Sequence, residues 1–125
     1  MKKYFRITKN EDFKRIVEDG VRYSNSNYNI YSLQSELDHS RFGVSVSKKR
    51  GNAVVRNKIR RQVKSILMKQ LNLIPTPRDY VIVIKDGYLG QDFSDNEKSL
   101  STLVEKLSKE LLNGTNKGKT KEITD

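Results

Sequence analysis

Apolar residues recur at the three- and four-residue spacing of an amphipathic helix in three segments of the chain. The first segment, residues 11–19, follows Asn10, a favourable N-cap, and stops at Gly20. The second runs over residues 53–71, and the third over residues 94–114. The pattern therefore predicts three helices, each with one face to bury.

The second and third helices carry end signals of their own. Gly51 and Asn52 supply turn and cap residues before the second helix. Ser94 and Glu97 have capping-box spacing at the start of the third. These signals place both N-termini within a residue or two.

Strands are predicted between the helices by alternation and by one continuous apolar run. Residues 28–33 place Tyr28 and Ile30 on one face and Asn29 and Tyr31 on the other. Residues 41–47 alternate between large apolar and small residues, whereas residues 80–84 are apolar throughout and predict a central strand covered on both faces. The order of helix, two or three strands, helix, strand and helix is typical of an α+β domain with a mainly antiparallel sheet.

The second helix combines this core face with an unusual charge. Its predicted apolar stripe contains Val55, Ile59, Val63, Ile66 and Leu67. Residues 48–64 hold eight basic side chains and no acidic one, whereas the whole chain has a net charge of +10. Most of the excess charge therefore lies on one outward face, which indicates a polyanionic partner, either nucleic acid or an anionic membrane surface.

Composition excludes several other classes of protein. The chain has no cysteine and one histidine, His39, in a polar turn, so thiolate chemistry and a histidine metal cluster are not expected. The acidic pairs at residues 11–12 and 18–19 are better explained by a helix dipole and a solvated face than by a metal site. No segment resembles a signal peptide or a membrane span, so we expect a cytoplasmic protein.

Nucleic-acid binding is favoured over a merely solubilising or membrane-bound helix. The basic face contains several arginines and Asn57, which suit bidentate phosphate contacts and hydrogen bonds to bases or riboses. The apolar stripe has no aromatic residue to bury in a lipid interface. Phe13 and Tyr31 offer stacking surfaces for single-stranded RNA, although core packing is the alternative for Phe13.

Residues 41–61, RFGVSVSKKRGNAVVRNKIRR, resemble the signature of the bacterial ribonuclease P protein component, with paired lysines after a strand and an Arg-Asn basic helix. Weaker similarity extends through Arg6, residues 10–13 and Tyr31. The resemblance implies a four-stranded sheet with three helices and a left-handed βαβ crossover, as in ribosomal protein S5 domain 2-like folds. The chain length suits one domain, which we expect to be an RNA-binding domain over residues 1–114. Residues 115–125 are small, charged and unpatterned, so we expect a flexible tail there.

The resemblance implies a ribonucleoprotein endonuclease in which the RNA subunit holds Mg²⁺ and removes the 5′ leader of precursor tRNA. The protein then contributes binding, has no catalytic residue and no metal or cofactor of its own, and pairs singly with the RNA without another protein. The residues matching the RNA-binding helix are Arg56, Asn57, Lys58, Arg60, Arg61 and Lys64. Those matching the leader-binding cleft are Phe13, Val17, Asn29, Tyr31, Ser45, Ser47, Lys48 and Lys49.

Two residues depart from the family pattern. Lys58 stands where a second arginine is usual, and Val17 stands where an aromatic residue is usual. The residues alone also leave room for a ribosomal or assembly protein that uses the same helix on ribosomal RNA. A DNA-binding module lacks a partner helix, and a protein-only nuclease lacks catalytic groups.

Overall fold

The computed structural model of the protein describes residues 6–112. In chain order these residues form α1 (Asn10–Asp19), β1 (Val21–Ser24), β2 (Tyr28–Gln34), β3 (Arg41–Ser45), α2 (Ala53–Met68), β4 (Arg78–Ile84) and α3 (Phe93–Leu112). Short 3-10 turns lie at Lys48–Arg50, Leu71–Leu73 and Asp86–Tyr88. The predicted tail, residues 115–125, lies outside the described residues.

The four strands form one mixed sheet in the order β1-β2-β4-β3. The β1–β2 and β2–β4 pairs are antiparallel, and the β3–β4 pair is parallel with α2 between the two strands. The predicted α+β class, with three helices and a mainly antiparallel sheet, is confirmed. The parallel pair is the βαβ unit that the resemblance implies, and its hand stays a prediction.

The main core lies between one face of the sheet and the helices α2 and α3. Tyr28, Ile30 and Ile82 project from the sheet into this core and meet apolar residues of both helices, including Val63 and Leu103. The strand alternation predicted for β2 is confirmed, because Tyr28, Ile30 and Ser32 are buried and the residues between them are half-buried. The opposite face of the sheet is covered by α1.

Two elements differ from the sequence predictions. The strand β1 has no separate prediction, and it follows α1 after one residue, Gly20. A Cβ atom on Gly20 would lie 2.8 Å from the carbonyl oxygen of Ser32, so only glycine allows this close turn. Val55 belongs to the predicted core stripe, but it lies in the first turn of α2 and is 38% exposed.

The N-cap residues of the helices agree only in part with the sequence predictions. Asn52 caps α2 as predicted, because its side chain accepts a hydrogen bond from the Val55 backbone N–H. The predicted Asn10 cap is wrong by one residue, since Lys9 occupies the N-cap position of α1. At α3 the cap is Asp92 rather than Ser94, because its carboxylate accepts from the Asp95 backbone N–H at 2.9 Å.

Two predicted elements end earlier than expected. The helix α2 stops at Met68 instead of residue 71, and β3 stops at Ser45 instead of residue 47. The Ser47 hydroxyl caps the following 3-10 turn by accepting from the Lys49 backbone N–H at 3.2 Å. The chain therefore leaves the sheet through a tight basic turn before entering α2.

Candidate nucleic-acid interface

The polar face of α2 carries the residues predicted to bind RNA. Successive residues are rotated by about 100° in a helix, so Arg56, Asn57, Arg60, Arg61 and Lys64 fall within an arc of about 140°. Lys58 lies about 60° beyond the edge of this arc. We call these six residues the basic face; Asn57, Lys58 and Arg61 are exposed and the other three are half-buried.

The cations of the basic face lack acidic neighbours. Among the described residues, none of its arginines or lysines forms an ion pair within 4.0 Å. The one side-chain hydrogen bond within the face runs from Arg60 to the Asn57 amide oxygen, at 2.9 Å. Partial burial, and repulsion from Arg6 and Arg60, lower the pKa of Lys64. The positive charge is therefore available to an anionic partner.

Arg50 belongs to the same basic stretch of sequence, but it has a different role. Its Nε donates to the Ile84 carbonyl oxygen at 3.2 Å, and its Nη1 pairs with Asp86. Lys48 and Lys49, in contrast, are exposed. The turn between β3 and α2 is thus attached to the end of β4 by Arg50, with its two lysines directed to solvent.

A furrow lies between α1 and the sheet face opposite the main core. In the strand register, Asn29 lies between Ser24 and Val83, and Ser45 follows as the next neighbour of Val83. These four residues form one row of the furrow floor, which we call the open row; Asn29, Val83 and Ser45 are half-buried, and Ser24 is buried. The adjacent row consists of Arg22, Tyr31, Val81 and Gly43.

The α1 wall contacts the second row closely. A Cβ atom on Gly43 would lie 2.7 Å from Phe13 Cε1, so the glycine lets the Phe13 ring lie directly on β3. Phe13 and Tyr31 are half-buried beside a small cluster of Ile7, Ile16 and Val81. Both aromatic rings therefore remain partly accessible, and Val17 on the same helix is 38% exposed.

The furrow and the basic face meet. One groove is lined by Phe13 and Gly43 from the furrow, by Lys64 from the basic face, and by Arg6 from the N-terminal segment. Ser47, Lys48 and Lys49 continue from β3 and are exposed. The structure thus places the two predicted sets of residues on adjoining surfaces of one molecule.

A network of ion pairs holds the α1 wall in place. Asp79 on β4 is fully buried and accepts from Arg41 Nε and Nη2 at 3.2 and 2.8 Å. Arg41 also contacts Asp12 at 3.4 Å, and Arg15 lies 3.8 Å from Asp79. The hydrogen bond to Asp79, with the charges of Asp79 and Asp12, raises the pKa of Arg41.

Several of these residues were missed by the sequence predictions. Arg22 and Ser24 have no predicted role because β1 has no clear alternation. Lys85, which follows β4 directly and donates to Ser24 Oγ at 3.1 Å, has none because it stands at the end of an apolar run. The Arg41–Asp79 pair has no local signal, since the partners are 38 positions apart. The missing information was the pairing of β3 with β4, two strands that α2 separates in the sequence.

The described part of the chain contains neither a metal-binding group of side chains nor a membrane-spanning helix. Within residues 6–112, no three His, Cys, Asp or Glu side chains are grouped in a way that could hold a metal ion. Asp12, from the first of the two acidic pairs in the sequence, contacts Arg15 and Arg41 instead. None of the helices formed by these residues is both long and apolar enough to cross a bilayer.

Known proteins match both the sequence and the fold. The family model for ribonuclease P matches residues 1–108. The ribonuclease P protein component of Streptococcus pneumoniae strain Hungary19A-6 is 37% identical over 109 residues, covering 87% of this chain and 88% of the relative.

Two solved structures agree with this match. The Staphylococcus aureus RNase P protein superposes with a TM-score of 0.77 at 33% identity, covering 82% of this chain and 94% of the other. The Thermotoga maritima RNase P protein has a TM-score of 0.74 at 27% identity, covering 81% of this chain and 96% of the other. With nearly the whole chain matched by the family model and by relatives at this identity, the chain belongs to the family of ribonuclease P protein components.

Proposed function

We propose that the protein is the protein subunit of a ribonuclease P ribonucleoprotein and assists removal of the 5′ leader from precursor tRNA. In this proposal, one protein binds one catalytic RNA in the cytoplasm, without another protein and without a membrane. The RNA subunit holds the Mg²⁺ ions and performs the endonucleolytic step. The protein holds no cofactor and supplies only binding.

The observation that supports this function is the junction of two different surfaces, each with side chains suited to RNA. The basic face of α2 has arginine forks without acidic partners among the described residues, which suits the phosphates of a folded RNA. The furrow beside it has half-buried aromatic rings and an extended polar floor, which suits a single strand. A protein that holds a precursor tRNA leader beside the catalytic RNA needs both the basic face and the furrow.

Each site residue has a defined part in this proposal. The six residues of the basic face contact the catalytic RNA, with Lys58 providing a point charge where an arginine would provide a fork. In the furrow, Phe13 and Tyr31 stack on leader bases, and Asn29 and Ser45 contact the strand from the floor. Ser47, Lys48 and Lys49 contact leader phosphates, whereas Val17 offers only apolar contact.

Reconstitution with a bacterial ribonuclease P RNA tests the function. At low Mg²⁺, adding the protein should increase cleavage of leader-bearing precursor tRNA, because its cations replace part of the screening that the ions provide. No increase over the RNA alone would refute the proposal. Recovery of ribosomal RNA alone with the protein from its own cells would instead favour an assembly role.

Charge neutralisation tests the assignment of the basic face. The triple variant Arg56→Gln, Arg60→Gln and Arg61→Gln should weaken binding to the catalytic RNA. The slope of the logarithm of the binding constant against the logarithm of the salt concentration should become shallower by about 0.7 to 0.9 for each phosphate that the variant no longer neutralises.

A matched control removes the same charge elsewhere. Lys69, Lys98 and Lys109 are exposed and lie outside both surfaces. Changing all three to glutamine should leave most of the salt slope intact. Equal flattening in the two triple variants would show that net charge, rather than the basic face, determines binding.

A further inference from the structure

A chain of hydrogen bonds crosses the open row of the furrow floor. Lys85 Nζ donates to the Asn25 carbonyl oxygen at 2.7 Å and to Ser24 Oγ at 3.1 Å. Ser24 Oγ in turn lies 2.6 Å from Asn29 Oδ1. The three side chains come from β1, β2 and the end of β4, so the chain of bonds exists only when the sheet has formed.

The direction of these bonds follows from the chemistry of the groups. An ammonium group has donors and no acceptor, so Ser24 Oγ accepts from Lys85. The single hydroxyl proton of Ser24 is then donated to Asn29 Oδ1. The Asn29 amide is therefore held with its oxygen toward Ser24 and its NH₂ group turned away.

Asn29 and Lys85 are half-buried and keep hydrogen-bond donors that the described residues do not use. Asn29 lies on the same sheet face as Tyr31, and its Nδ2 has no hydrogen-bond partner among the described residues. Lys85 uses two of its three protons within the chain and has no acidic partner within residues 6–112. The neighbouring carboxylate, Asp86, pairs with Arg50. The open row, together with Lys85 at the end of β4, thus offers a positive charge and hydrogen-bond donors.

We propose that Asn29 and Lys85 form a subsite for one phosphodiester group of the precursor tRNA leader, with Ser24 as the positioning residue that orients the Asn29 amide. This inference rests on the proposed function and names the part of the leader bound at this point. Phosphate oxygens only accept hydrogen bonds and carry a negative charge, which matches a set of donors that includes an ammonium group. The Tyr31 ring in the next row remains available for the adjoining base.

The subsite is tested with holoenzyme and precursor tRNA carrying one neutral methylphosphonate linkage at successive leader positions. With unaltered protein, the position held by Asn29 and Lys85 should lose about tenfold in affinity, as expected for a hydrogen bond to a charged group, in addition to any positions held by Ser47, Lys48 and Lys49. Uniform small losses at every position would overturn the proposal. This arm requires no protein variant and so does not depend on folding.

Variants then connect that position to the named residues. Asn29→Asp keeps the shape of the side chain but replaces the donor by a negative charge. It should weaken the binding of leader-bearing precursor about tenfold and leave the binding of mature tRNA unchanged. Lys85→Met should act in the same direction. On the critical methylphosphonate substrate, both variants should cause little further loss of affinity, because the charged linkage they act on is already absent.

Ser24→Ala provides the readout for positioning. It leaves both contacting groups in place but frees the Asn29 amide to rotate, so a loss of about threefold is expected, again only with the charged linkage. A loss that persists with the methylphosphonate but vanishes with an abasic leader nucleotide would assign the contact to a base and refute the phosphate subsite. If unaltered protein fails to distinguish leader-bearing from mature tRNA, the proposed function itself fails; if it distinguishes them and the variants have no effect, only this inference fails.

Discussion

Replacing Asp79 by asparagine removes the charge on which α1, β3 and β4 converge. The carboxylate is fully buried and accepts two hydrogen bonds from Arg41, with Arg15 3.8 Å away. Breaking a buried ion pair costs about 3 to 5 kcal/mol because one charge is left uncompensated. Arg41 keeps Asp12 at 3.4 Å and is partly exposed, so we expect a loss near the lower limit, about 3 kcal/mol.

Urea unfolding measures this loss as a shift of the midpoint at unchanged slope. The matched control is Glu97→Gln, which breaks the ion pair with Lys69 at 3.0 Å. Those side chains are 31% and 63% exposed, and a solvated pair contributes about 0 to 1 kcal/mol. The difference between the two variants therefore isolates the effect of burial.

The same variant has a functional consequence. Asp79 lies close to Arg15 of α1 and holds Arg41, which also contacts Asp12 of α1. Replacing Asp79 should therefore loosen the furrow wall and leave α2 unchanged. In Asp79→Asn, leader-bearing precursor should lose more affinity than the catalytic RNA does. Equal destabilisation by Asp79→Asn and Glu97→Gln, or equal loss for both RNAs, would refute the reasoning.

Two further predictions concern aromatic residues. Tyr31→Ala should weaken the binding of leader-bearing precursor by about 1 to 3 kcal/mol, the range for one stacked base, and the binding of mature tRNA much less. Equal losses for the two RNAs in a binding titration would show that Tyr31 acts as a core residue. Burial raises the pKa of Tyr88 to about 12 and also raises the pKa values of Tyr28 and Tyr80. The folded state therefore keeps protons that the unfolded chain releases near pH 10, so the free energy of unfolding should fall as pH rises above about 10. Tyr88→Phe should flatten this decline in urea titrations at several pH values, and an unchanged slope would contradict it.

Local periodicity was sufficient for most elements and for one of the two surfaces. The three helices, the strands from residues 28 and 41 and the central β4 follow from side-chain spacing, because a helix or strand repeats its buried positions at a fixed interval. The basic face follows from the same spacing, since Ile59 and Val63 must face the core. The resemblance in residues 41–61 added the furrow, whose residues lie far apart in the sequence.

Long-range pairing settled the remaining features. Short β1 is stabilised by its partner strand, Val55 is exposed in the first turn of α2, and Arg50 turns back to reach Asp86. The orientation of the Asn29 amide depends on Ser24 and Lys85, from two other segments. Spacing along the chain defines which face of an element is buried, but the partner of a buried or polar group is defined by strand register and by packing between elements distant in sequence.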